Sequence, residues 1–172
     1  MVISDEIRSL IATAPLAHLT TLNADGSPQV SVVWVGLDGD EFVSGHMGAW
    51  QKVKNVRRDS RVALSLLGTG KNLMGLQEYL VVYGKARITE GGAVALLEKL
   101  AEFYLGPNIE FPPESLRSTP GYITRITPQR LGGIGPWNPK QQRRSEKLVS
   151  WNNGIKPRSA YPLDLPPRDC AW

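Results

Sequence analysis

Between residues 16 and 135 the chain alternates short runs of β-branched and apolar side chains with turn-forming dipeptides. No other feature restricts its fold as strongly. LAHLTTL (16–22), QVSVVWVGL (29–37) and EFVSGH (41–46) are separated by NADGSP and by DGD. Asp25-Gly26 and Asp38-Gly39 are hairpin signals, because glycine accepts the positive φ that tight turns demand. RVALSLLG (61–68), EYLVVYGKARIT (78–89) and GYITRITPQRLGGIG (121–135) continue the series, the last with a bend at Pro128. Strands joined by short turns pair antiparallel. Six of them with few helices predict a mainly β fold, a small six-stranded antiparallel barrel.

Two amphipathic helices complete the pattern. Ser4 is a candidate N-cap for a helix at about 4–14, with Ile7, Leu10, Ile11 and Ala14 at helical spacing and Pro15 as the stop. The second runs over 92–106, with Val94, Leu97, Leu100, Ala101 and Tyr104 on one side. Gly132, Gly133 and Gly135 are expected to permit a bend and close backbone approach, and Trp137 to anchor the end of the barrel. GTGK (68–71) matches a phosphate loop only weakly and reads as a plain turn.

Several classes of protein are disfavoured at once. A chain of 172 residues with 41% hydrophobic and 21% charged side chains has ordinary globular composition. It holds no apolar run of membrane-spanning length. Its opening residues, MVISDEIRSL, lack the basic region of a secretory leader. A single cysteine, Cys170, excludes an internal disulfide framework and implies a cytoplasmic location. His18 and His46 have no cysteine partners at ligand spacing, so no metal site is expected. There is no G-x-S-x-G elbow, no Walker loop and no G-x-G-x-x-G after a first strand.

Charge divides the chain. Residues 1–137 carry 13 basic and 13 acidic side chains, and residues 138–172 carry 7 and 3, so the whole net +4 lies in the tail. A neutral body presents no broad basic face, and nucleic acid is not an expected partner. The expected organisation is a barrel over 1–137 and a Pro/Arg-rich arm over 138–172, in which Trp151 is an isolated aromatic.

Chemistry concentrates in AWQKVKNVRRDSR (49–61). Lys52, Lys54, Arg57, Arg58 and Arg61 stand against one acid, Asp59. Val53 and Val56 have the spacing of a buried helical stripe, and Lys52 and Asn55 share a neighbouring face. A helix starting here, just after EFVSGH, would aim free N–H groups and a partial positive charge at the strand's exit. The result is either an anion clamp or a solvated basic helix capping the barrel.

The order of these elements resembles the pyridoxamine-phosphate-oxidase-like split β-barrel superfamily, and within it the B-type flavin/deazaflavin oxidoreductases that use coenzyme F-420. The resemblance covers about 5–137. It rests on LAHLTTLNADGSPQVSVVWV, K-V-K-N-V-R-R-D-S-R-V-A-L-S-L, YLVVYGKARIT and GGIGPW. It implies an FMN-binding-like split barrel, a homodimer, and a deazaflavin or flavin ring in a groove at the dimer interface. It also implies roles for particular residues. Lys52 would hold the cofactor phosphate, with Asn55 ordering the turn or bonding the phosphate. Ser44 would reach the phosphoryl side, and Ser31, Val33 and Trp34 would lie along the ring. His46, Trp50 and Lys54 complete the expected cofactor-binding set. Trp34 falls where the flavin-using oxidases have a lysine, and Trp50 where related proteins often carry a basic residue. Lys54, Arg57 and Arg58 are candidates to compensate for the latter.

The resemblance therefore implies an oxidoreductase transferring a hydride between F-420 and a small organic acceptor. FMN is the alternative cofactor, and a non-catalytic flavin or deazaflavin carrier the alternative role. No catalytic side chain is required by such chemistry. His46 is the one candidate proton donor, against a plainer role of satisfying a local hydrogen bond.

Overall fold

The computed structural model describes residues 1–138. All of the expected arm beyond Asn138, Trp151 included, lies outside the described residues. Helix α1 (Asp5–Ala12) precedes strands β1 (Ala17–Leu22), β2 (Pro28–Val33), β3 (Gly36–Asp38) and β4 (Glu41–His46). Helix α2 (Gln51–Arg58), strands β5 (Arg61–Lys71) and β6 (Gln77–Glu90), helices α3 (Ala93–Tyr104) and α4 (Glu114–Arg117), and strand β7 (Tyr122–Ile134) follow. The seven strands form one antiparallel sheet in the order β2-β1-β5-β6-β7-β4-β3. Mainly β, antiparallel architecture with small helices is what the strand-and-turn pattern predicts.

The predicted strand 29–37 is two strands. It breaks at Trp34 and Val35, which separate β2 from β3. β2 pairs with β1 at one edge of the sheet, and β3 pairs with β4 at the other. Only two residues join the two edges, so the sheet has to curl until those edges meet. The barrel is thereby closed by the chain itself and left split along its hydrogen bonds. A continuous β-branched run such as VVWV cannot signal this break, because each of its residues favours the extended backbone on either side.

Burial follows the pleat. Leu19, Phe42, Leu64, Leu66, Leu80, Val82 and Ile126 fill the interior, and Ile7, Leu10 and Ile11 of α1 close one end. Trp137 is buried as the expected anchor, its indole N–H donating to the Tyr79 carbonyl at 3.1 Å. GTGK is not a turn. Residues 68–71 continue β5, and the turn falls at 72–76, where the Asn72 side chain accepts from the Met74 and Leu76 N–H groups. Helix α4 has no counterpart among the predicted elements. Among the described residues no helix is long and apolar enough to cross a membrane.

The bend expected at Pro128 is a β-bulge. Tyr83 pairs with Arg130 but Gly84 pairs with Pro128, leaving Gln129 extra on β7. Gly84 lets the two backbones approach there, since a Cβ would stand 2.4 Å from the Thr127 carbonyl oxygen. Gly84→Ala is therefore expected to cost about 1–3 kcal/mol of stability through overpacking. Urea unfolding of the variant checks this, and an unchanged midpoint would contradict the close approach.

Candidate functional site

Strand β4 delivers His46 to the open end of the barrel, the loop 47–50 turns the chain, and α2 starts immediately beyond it. A cleft of about 290 Å³ opens there. Val33, Trp34, His46, Trp50 and Lys52 line it, which brings five of the nine expected cofactor-binding residues together. Phe111, Met47 and Leu97 complete its walls. Among the described residues none of its lining side chains is acidic.

The aromatic wall is held in place from behind. The Trp34 indole stacks on Tyr104 of α3, with ring centroids 5.1 Å apart and planes 11° from parallel, and meets Phe111 at 4.9 Å. The Tyr104 hydroxyl accepts from the Val35 N–H at 3.0 Å and donates to the Pro15 carbonyl at 2.8 Å. A single side chain thus ties the β2–β3 crossing to the approach to β1. Trp50 is 60% exposed and leans on Gly48 at the mouth.

The basic run is sorted by its contacts. Arg57 pairs with Glu90 and lies over the Tyr122 ring. Arg58 donates to the Leu22 carbonyl and to Asn55. Both arginines are thus engaged within the chain, rather than free to compensate for Trp50. Lys52 and Lys54 make no ion pair among the described residues. Lys52 is half-buried at the cleft, where burial lowers its pKa, and Lys54 lies on the exposed side of α2. No side chain caps the start of α2.

Asn55 differs from its expected place at a phosphate. It is fully buried, and its amide donates to Thr21 Oγ1 and Asn23 Oδ1, both at 3.0 Å. Its Oδ1 accepts from Gln51 and Arg58. All four hydrogen-bonding positions are filled inside the chain, which leaves the ordering role and removes direct bonding. The Thr21 hydroxyl donates to Gln29, whose amide in turn donates to Ser31 Oγ. Ser31 is therefore joined to Asn55 by a relay of side chains, outside the cleft. Ser44 is 2% exposed beside Thr124 on the neighbouring strand, and its hydroxyl has no partner among the described residues.

His46 is buried at the cleft's inner end, with Nε2 2.8 Å from Thr124 Oγ1. Tyr104, Phe111 and Thr124 are absent from the sequence-based set. Tyr104 falls on the buried side of a predicted helix, which signals packing. Nothing in the sequence around Phe111 distinguishes it. Among the described residues no group of three or more His, Cys, Asp or Glu side chains is placed to hold a metal ion.

Residues 3–133 match the model of the family described as pyridoxamine 5'-phosphate oxidase. An F-420 reductase of solved structure is 27% identical, with 76% of this chain and 98% of that chain covered and a TM-score of 0.61. A conserved hypothetical protein from Mycobacterium tuberculosis is 22% identical, with 94% of each chain covered and a TM-score of 0.62. The heme storage protein HutZ of Vibrio cholerae is 17% identical, with 77% of this chain and 95% of that chain covered and a TM-score of 0.55. The last two are likenesses of fold. No curated protein matches the chain.

Burial, and then the nearby Lys52 charge, push the His46 imidazole down to about 4. Below its ordinary value of 6.5 the unfolded chain takes up a proton that the folded chain refuses until about pH 4. This contribution to stability is whole above pH 6.5 and is lost as the pH falls toward 4, by about 3 kcal/mol. His46→Gln is expected to remove that part of the acid sensitivity. Urea unfolding of both proteins at pH 7 and near pH 4 checks it, and equal losses would contradict the assignment.

Proposed function

The chain belongs to the pyridoxamine 5'-phosphate oxidase family, and on that premise we propose that it is an oxidoreductase working with the deazaflavin coenzyme F-420 on a small organic acceptor. One observation carries this reading. The cleft is a slot walled by Trp34, Trp50 and Phe111, with a half-buried ammonium, Lys52, at its side that has neither an ion-pair partner nor a neighbouring carboxylate in the lining among the described residues. An aromatic slot with one cation suits a flat ring system bearing an anionic tail. The 27% identity to an F-420 reductase favours the deazaflavin over FMN.

The residues present fit such a group. Lys52 and the uncapped first N–H groups of α2 form a donor set for a phosphoryl oxygen. Lys54, exposed one turn-face away, serves charges farther along the tail. Trp34 and Trp50 would wall the ring. β2 is an edge strand, and the pairing of Asn23 with Ser27 turns the backbone of Ser31 and Val33 toward β1, so the backbone of Val32 between them would be the part available to the ring's polar rim. Ser44 and Asn55 lie outside the lining, where Asn55 holds α2 against β1. His46 is neutral at pH 7, and with Nε2 engaged by Thr124, Nδ1 is the atom left to hold or give a proton. When bound, a deazaflavin supplies two-electron hydride chemistry. The chain contributes binding, orientation and the exclusion of water.

The same reading includes a second copy of the chain. Val30, Val32, Leu16 and Leu67 are all more than half exposed on the outer face of β2, β1 and β5. The register sets Val32 beside His18 and Ser65, and Val30 beside Thr20 and Ala63, so the face is continuous. Val32 also lines the cleft, so a copy covering this face borders the site.

Titration of the purified protein with F-420 and with FMN tests the cofactor. Tighter F-420 binding is expected, and protein that purifies yellow with FMN would overturn the choice. Lys52→Ala is expected to weaken F-420 binding by about 1.5–3 kcal/mol, the worth of a charge-assisted hydrogen bond. Turnover of reduced F-420 with a panel of acceptors separates an enzyme from a carrier. Sedimentation is expected to show a two-chain species that Val32→Glu dissociates; a wild-type monomer would contradict the shared interface.

A further inference from the structure

A second cleft, of about 370 Å³, lies on the other side of Tyr104, between α1, β3 and α3. Its walls are apolar: Ile11, Val35, Leu37, Leu96, Leu100 and Phe103. The polar groups along it are few, and most are engaged. The Tyr104 hydroxyl is occupied by Pro15 and Val35. The Arg8 guanidinium is neutralised by Asp40 and also donates to the Gly39 carbonyl. Lys99 remains. It stands on the exposed face of α3 at the rim and makes no ion pair among the described residues. Among the described residues no carboxylate lines the cleft.

We propose that this cleft is a binding site for a small amphipathic carboxylate, with its apolar body among α1, β3 and α3 and its anionic head on Lys99. Charge complementarity selects the occupant. An uncharged apolar ligand would leave the cation unused, and an amphipathic cation would face Lys99 with no free carboxylate among the described lining residues. Size limits it further, since about 370 Å³ lies near the lower end of the range of small-molecule pockets. A short aliphatic or single-ring aryl acid meets both limits. The site is separate from the cleft at Lys52, because the stacked rings of Trp34 and Tyr104 stand between them. The inference therefore does not depend on the cofactor assignment.

Octanoate, with ten non-hydrogen atoms, is the probe, titrated into the full-length protein by calorimetry beside 1-octanol. Saturable binding of one octanoate per chain is expected, at least tenfold tighter than octanol. Lys99→Gln should weaken octanoate by about tenfold and leave octanol unchanged. Ala12→Trp should block both, because Ala12 is an exposed cleft residue at the end of α1 and a large ring there fills the space without adding charge. F-420 binding should be the same in both variants as in the wild type. Absence of saturable octanoate binding, equal affinity for octanol, or indifference to Lys99→Gln would each overturn the proposal. So would octanoate displaced by F-420, which would place it in the other cleft.

Discussion

The two-residue crossing at Trp34 and Val35 is the constraint on which the rest of the structure depends. It joins strands at opposite edges of one sheet, so the sheet curls into a barrel whose seam is covalent rather than hydrogen-bonded. The crossing is held by one phenolic hydroxyl. Tyr104 accepts from the Val35 N–H and donates to the Pro15 carbonyl, and its ring backs the Trp34 indole. The joint that closes the barrel therefore also sets one wall of the cleft. Both clefts share this joint, one on each side of the Tyr104–Trp34 stack.

The second determinant is how positive charge is distributed along α2. In a run of five basic residues, two arginines are used up in binding the helix to the barrel, through Glu90, Tyr122, Asn55 and the Leu22 carbonyl. The lysines are left without acidic partners among the described residues. This division follows the chemistry of the two side chains. A guanidinium bonds several acceptors in fixed directions and suits structural ties, whereas an ammonium is a point charge on a flexible stem. Asn55 completes the arrangement by saturating its amide within the chain, which fixes the helix against the β1–β2 hairpin.

Much of this was legible in the order of residues. Alternation in LAHLTTL and RVALSLL, the short run EFVSGH between turns, the glycine turns at Gly26 and Gly39, and the helical stripes of α1 and α3 all specify local conformations that tertiary packing did not override. The basic helix after the third expected strand was legible as well, together with the buried stripe of Val53 and Val56. What was not legible depends on distant partners. In the long β5–β6 arm the register shifts between Leu67 and Lys71, and the Gln77 side chain, which donates to the Gly68 and Gly70 carbonyls, holds the arm against the local propensity of those glycines. Phe111 enters the cleft from an irregular segment that no periodicity marks. Thr124 meets His46 only because β7 inserts between β6 and β4.

The amino-acid sequence alone determined the class of fold, the places of most strands and helices, and the family whose pattern they follow. These are properties of neighbours: backbone preference, turn chemistry and amphipathic spacing act over a few residues. Tertiary structure alone decided that VVWV divides between two sheet edges, that Asn55 spends its amide internally, and which cations remain unpaired. Each of these depends on pairs of groups far apart in the chain, and their energies exist only once the sheet has curled and brought them within hydrogen-bond reach.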